Sequence, residues 1–193
     1  AEKFLNNEYS DAYFGVMNYK PEHGTHNNNT KDNGEPLTLK RPYAKVRVVA
    51  TDLHEVNLNV EPKSVAVKYI AKRPMAFNAL TGNISVVEES VNREYTRDYA
   101  AISKDQGGLE NHYYNAGYDA NSAYMTLFTD YILARAEGQD NVQFTLNVYD
   151  DEAMAEANRI KSTTFNTTIP VERNHLTTVI GNVLTTATEI NVT

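Results

Sequence analysis

The chain has 193 residues, with 18 basic and 25 acidic side chains, a net charge of −7, and neither cysteine nor tryptophan. A chain of this length buries roughly 70% of the surface that its unfolded form exposes, so it folds without staples. The missing cysteine excludes disulfides, thiolate metal sites, cysteine nucleophiles and the sulfur that would carry a lipid anchor.

Hydrophobic residues at 41% and charged residues at 22% argue against intrinsic disorder. The negative charge repels polyanions and makes nucleic acid and anionic membrane poor partners. No apolar run approaches the roughly 20 residues of a membrane helix, and Ala1-Glu2-Lys3-Phe4 lacks signal-peptide architecture. The sequence therefore reads as cytosolic, or as the mature or trimmed form of an exported protein.

In chain order, residues 1–36 read as an irregular lead-in, since Pro21, Gly24, Asn27-Asn28-Asn29 and Asp32-Asn33-Gly34 are closely spaced turn residues. Its cohesive piece, Tyr13 to Met17, is expected to lie against the domain or to add as an edge strand. From Leu37 the pattern becomes one of strands. In Ala44 to Ala50 the even positions are apolar and Lys45 and Arg47 alternate with them, the period of a strand with one wet face. Pro42 is expected at its edge or start. Val65 to Ile70 repeats the pattern, and Asn83 to Val87 follows a turn at Leu80-Thr81-Gly82.

Residues 88–123 are rich in Tyr, Asn and Gly and lack a sustained period, which predicts a long, partly ordered excursion. Tyr124 to Ala134 reads as a strand, although Leu127, Tyr131 and Ala134 also suit a helical stripe. Val142, Phe144, Leu146 and Val148 share one face of a strand, whereas a helix would scatter them. Asp150 to Asn158 suits one helical turn. The tail offers Thr163 to Ile169 ended by Pro170, then Leu176 to Leu184 interrupted by Gly181, then Glu189 to Val192. Seven or so short strands predict an all-β fold, a two-sheet antiparallel β-sandwich over residues 37–193 with long loops and little helix.

Four segments carry a resemblance. Leu37-Thr38-Leu39-Lys40-Arg41-Pro42-Tyr43-Ala44-Lys45-Val46 resembles the "leucine-x-arginine-proline-aromatic-alanine" strand of Bacteroidales fimbrillin-like proteins. Tyr9-Ser10-Asp11-Ala12-Tyr13-Phe14 is similar to the segment that precedes it in that family. Phe77-Asn78-Ala79-Leu80-Thr81-Gly82 resembles the family's "asparagine-x-leucine-x-glycine" turn, and Ile169 to Thr185 resembles its closing element. Departures fall at His175, Leu176 and Val179. The order and spacing match over nearly the whole chain, which resembles the C-terminal portion of a full fimbrillin, without the β-domain that usually comes first. The resemblance implies a transthyretin-like or Greek-key sandwich and a structural subunit of a cell-surface fimbria or an adhesion module. It implies export to the outer membrane and pilin subunits as partners, joined by donor-strand exchange in which one subunit's strand completes another's sheet. Ile190 and Val192, in the terminal period-two segment, are candidates for a donor or final strand.

A catalytic constellation is not apparent, and no enzyme activity, metal or cofactor is expected. His23 and His26 sit in an Asn-rich loop, and structural zinc wants four ligands fixed by the fold. His54, His112 and His175 are isolated, and no serine occupies a Gly-x-Ser-x-Gly elbow. Asp150-Asp151-Glu152 and Glu88-Glu89 read as solvated turns, because neighbours on an extended chain point to opposite faces. Asp32-Asn33-Gly34 lacks the alternating ligands of a calcium loop. Tyr113, Tyr114 and Tyr118 suit a platform for a glycan or a host protein, the alternative reading of the chain as a binding module; otherwise they cover the sandwich flank. Arg41 and Arg173 are expected to fix loop carboxylates. Asn-x-Thr/Ser sequences occur at Asn28, Asn83, Asn166 and Asn191, and need no glycan in a bacterial protein.

Overall fold

A computed structural model of the chain describes residues 11–17, 37–52, 62–70, 74, 76–85, 95–99, 125–185 and 189–190. Among these residues ten strands follow in order: β1 Tyr43–Ala50, β2 Ser64–Tyr69, β3 Ala76–Asn78, β4 Asn83–Ser85 and β5 Tyr95–Tyr99, then β6 Met125–Leu133, β7 Gln139–Tyr149, β8 Arg159–Glu172, β9 Leu176–Gly181 and β10 Glu189–Ile190. They form a three-stranded sheet, β6-β1-β9, a five-stranded sheet, β10-β8-β7-β2-β5, and a small ribbon, β3-β4. The fold is an all-β sandwich, as the period-two segments predict.

Alternation decides what lies between the sheets. Ala44, Val46 and Val48 of β1 are buried, while Tyr43, Lys45 and Arg47 are half-buried on the opposite face. Opposite Val46 and Val48 lie Asp130 and Phe128 of β6. The larger sheet contributes Val65, Val67 and Tyr69, the four predicted residues Val142, Phe144, Leu146 and Val148, and Phe165, Ile169 and Val171. Phe144 is the hub, with ring centroids 5.3 Å from Phe128, 4.7 Å from Phe165 and 5.8 Å from Tyr69. The contacts to Phe128 and Tyr69 are edge-on and the one to Phe165 is tilted, and such ring contacts add to the area that burial removes from water.

The segment read as Tyr124 to Ala134 is strand from Met125 to Leu133, and the Leu127 of its apparent helical stripe sits at a bulge. The register of β1 with β6 shifts between Val48 and Val49, skipping Leu127, so that Leu127 and Phe128 are both fully buried. The predicted helical turn is a single 3-10 turn at Glu156–Asn158.

Three features depart from the expected pattern. β5 lies within the segment read as an irregular excursion, pairing with β2 from Val65↔Tyr99 to Tyr69↔Tyr95; the rest of 88–123 lies outside the described residues. Pro170 does not end its strand, because β8 continues to Glu172. β10 reaches only Thr164 and Phe165, so at Pro170 β8 is an edge among the described residues, where a missing N–H breaks no ladder bond. Two pairings are parallel, β1 with β9 and β8 with β10. The first follows from the turn Arg173-Asn174-His175, which carries the chain from the larger sheet to the smaller one instead of folding it back as a hairpin. Asn174 takes the left-handed conformation there, at φ 65°, which asparagine tolerates better than most residues.

Candidate functional site

Asp11 to Phe14, Arg41, Phe77 to Gly82 and Arg173-Asn174 meet at one end of the sandwich. Asp11 to Met17 forms a strap. Its Phe14 exchanges two backbone hydrogen bonds with Lys40, at 2.9 and 2.8 Å, as an edge addition ahead of β1. Side chains then pin it at both ends.

At one end Arg41 Nε donates to both oxygens of Asp11, at 2.9 and 3.0 Å, and its other nitrogens donate to Tyr13 Oη and to Asn174 Oδ1. The hydrogen bond to Asp11 raises the Arg41 pKa above its ordinary value, with burial working against it. Arg41 thus holds a carboxylate, as expected. Arg173 does not. Its Nε and Nη2 donate to the carbonyl oxygen of Ala134, at 3.1 and 2.6 Å, and Nη1 donates to that of Gly82 at 2.8 Å. Burial lowers its pKa from the ordinary arginine value. A planar fork donates in two directions, and here it ties the carbonyls of Ala134 and Gly82 together, while the nearby carboxylate of Asp140 is held by Arg135.

Phe14 inserts beside Arg173. Its ring lies 4.6 Å from that of Phe77, and the Arg173 guanidinium stands 5.9 and 5.7 Å from the two centroids. Gly82, at φ +71°, passes so close that a Cβ would come within 3.2 Å of the Phe14 ring. The turn needs glycine both for its backbone and for this approach.

Two depressions flank the strap. The larger, about 560 Å³, lies between the strap, the 80–82 turn and Arg173, and carries the exposed apolar side chains of Val16, Met17, Leu37 and Leu80. The smaller, about 180 Å³, opens on the outer face of the three-stranded sheet, between Arg41, Tyr43, Lys45 and Tyr131 on one side and Asn174 to Leu176 on the other. Tyr43 and Tyr131 meet edge to face at 6.2 Å, and the Lys45 ammonium stands 5.0 Å from the Tyr131 centroid. Sequence reading passed over this pocket. Its signal is the odd-numbered face of β1, where an aromatic ring and a cation alternate.

Of the other predicted residues, Tyr113, Tyr114, Tyr118 and Val192 lie outside the described residues, as do His23, His26, His54, His112, Glu88 and Glu89. Ile190 lies in β10, in register with Phe165. His175 stands alone among the described histidines, at the mouth of the smaller pocket. Asp151 works as a turn brace, accepting from Ala155 N–H at 3.2 Å and Asn158 Nδ2 at 2.6 Å. Among the described residues no three histidines or carboxylates gather to hold a metal, and no helix is long and apolar enough to cross a membrane.

No curated protein and no solved structure matches this chain. A family profile covers it from residue 1 to residue 193, so the chain belongs to the Family of unknown function (DUF6562).

Proposed function

We propose that the chain is a non-enzymatic structural subunit of a cell-surface fimbria, or a surface-adhesion module of fimbrillin type, that joins its neighbours by β-strand addition. The observation that carries this reading is the imbalance of the sandwich. Three strands face five, and β9 stands at the margin of the smaller sheet. Among the described residues no strand bonds to its outer edge. An edge of this kind offers a row of backbone donors and acceptors, and an added strand supplies their partners together with alternating apolar side chains. Each apolar side chain so covered contributes about 25 cal/mol per Å².

The meeting of residues from the four family-like segments at the strap supports the same reading, because residues far apart in sequence share one structural task. On this reading the chain works outside the cell, on a fimbria or at the outer membrane, with further pilin subunits as partners. The test is immunoelectron microscopy of filaments from producing cells, with antibody raised against this chain. Decoration along the filament shaft or at its tip is the expected result, and normal filaments that stay unlabelled overturn the proposal.

A further inference from the structure

We propose that the larger depression beside the strap is a contact between two copies of this chain, related by a two-fold axis, in which each copy's Leu80 enters the other's groove. The inference goes beyond strand addition and uses a different surface from the β9 edge, so either can fail without the other.

Exposed apolar surface is the first argument. Of the eight large apolar side chains that stand exposed among the described residues, five belong to the strap or lie beside it: Val16, Met17, Leu37, Leu39 and Leu80. Apolar side chains gathered in one place mark a docking surface, whereas scattered ones need no explanation. Leu37 and Leu39 are seated against the backbone of Gly15, where a Cβ would stand only 3.0 Å from each. The apolar wall is therefore in place before a partner arrives.

Shape is the second. Leu80 is 80% exposed on the rim of a depression of about 560 Å³. Its turn is braced through the backbone, since Asn78 Oδ1 accepts from the N–H groups of Leu80 and Thr81 at 3.0 and 3.2 Å, and the Asn78 carbonyl accepts from Gly82 N–H at 2.8 Å. A firm turn thus carries an apolar side chain out into water, a knob beside a hole. A two-fold axis at the rim seats each knob in the opposite hole, and such a contact uses the same patch on both subunits. A small apolar ligand would fill the depression and leave Leu80 wet.

Charge is the third. At −7 the chain repels its own copies in general. The groove lining, however, holds an exposed cation, Lys40, and an exposed anion, Glu137. The two-fold contact sets Lys40 of each copy toward Glu137 of the other, so the patch complements itself.

The experiment is sedimentation velocity of the full chain from about 1 to 500 µM, with a monomer passing to a dimer at micromolar concentration as the expected result. Leu80→Asp, which leaves the backbone bonds of the turn in place, is expected to weaken the dimer about tenfold or more. Lys40→Glu and Glu137→Lys should each weaken it, and the double reversal should restore it. Every variant is checked by circular dichroism. A dimer that ignores Leu80→Asp is held by another surface, such as the β9 edge, and overturns the proposal, as does a double reversal that binds no tighter than the single ones. Monomer at every concentration also overturns it, and binding of the dye ANS that Leu80→Asp abolishes would then give the groove to a small apolar ligand. If a charge reversal does not fold, Leu80→Asp decides alone.

Discussion

The Tyr69 hydroxyl, on β2 of the larger sheet, donates a 2.7 Å hydrogen bond to Asp130 Oδ2, on β6 of the smaller sheet. Asp130 is 1% exposed, and its other oxygen accepts the Tyr131 N–H at 2.9 Å. A carboxylate on the core face of a strand is costly unless its oxygens are satisfied, so this bond fixes how the two sheets are set against each other. Tyr69→Phe deletes the donor alone. It is expected to destabilise the fold by about 1–3 kcal/mol, read from the urea midpoint at an unchanged slope.

Arg173 ties the turn between the sheets to β6 and to the 80–82 turn. Arg173→Lys keeps the charge but cannot donate from a fork in two directions. A loss of about 2–3 kcal/mol is expected. Faster amide exchange at Phe14 and Lys40 should accompany it, since the guanidinium also backs the Phe14 ring. Full stability in the lysine variant would show that charge alone suffices.

Asp52 is fully buried beyond the end of β1, and its Oδ2 accepts from Leu184 N–H, Thr185 N–H and Thr185 Oγ1 at 2.8, 2.6 and 2.9 Å. These bonds clamp the chain as it leaves β9. Asp52→Ala is expected to cost about 2–3 kcal/mol and to speed hydrogen exchange at the amides of residues 184 and 185 before other sites. Its Oδ1 has no partner among the described residues, a desolvation cost the clamp must outweigh.

Gly82 and Gly138 both have positive φ, +71° and +79°, but their surroundings differ. A Cβ at Gly138 meets nothing nearer than 3.8 Å, whereas one at Gly82 presses on Phe14 at 3.2 Å. Gly138→Ala is expected to cost about 1 kcal/mol from backbone strain alone. Gly82→Ala should cost about 1 kcal/mol more, because the Phe14 ring must move or strain against it. Thermal melts of the two variants measure the difference, and equal shifts would mean that the strap gives way without cost.

Phe144 touches rings from both sheets. Phe144→Ala is expected to cost about 3–5 kcal/mol and, in a chain of ordinary stability, to leave much of it unfolded, which circular dichroism at 25 °C would detect.

Much of the fold was legible locally. Alternation at 44–50, 65–70 and 142–149 located three central strands and named their inward faces, because burial of one face imposes a two-residue period wherever it occurs. β5 was not legible, since its pairing with β2 is decided by a neighbour and not by any period of its own. Pro170 misled for a related reason: whether a missing N–H matters depends on whether a strand lies beside it.

The candidate site was legible only as separate pieces. Arg41 and Asp11 are 30 residues apart and Arg173 and Gly82 are 91 apart, so no local pattern could announce that they meet. The sequence alone determined the class of fold, the inward faces of its main strands and the absence of thiol chemistry, because those follow from side-chain type and short-range period. Only the tertiary structure decided that Arg173 serves carbonyls, that Asp130 enters the core beside Tyr69, and that Tyr43, Lys45 and His175 share a pocket. Contacts of that kind depend on how strands pair and how the sheets stack, and long-range pairing is set by the packing of the whole chain.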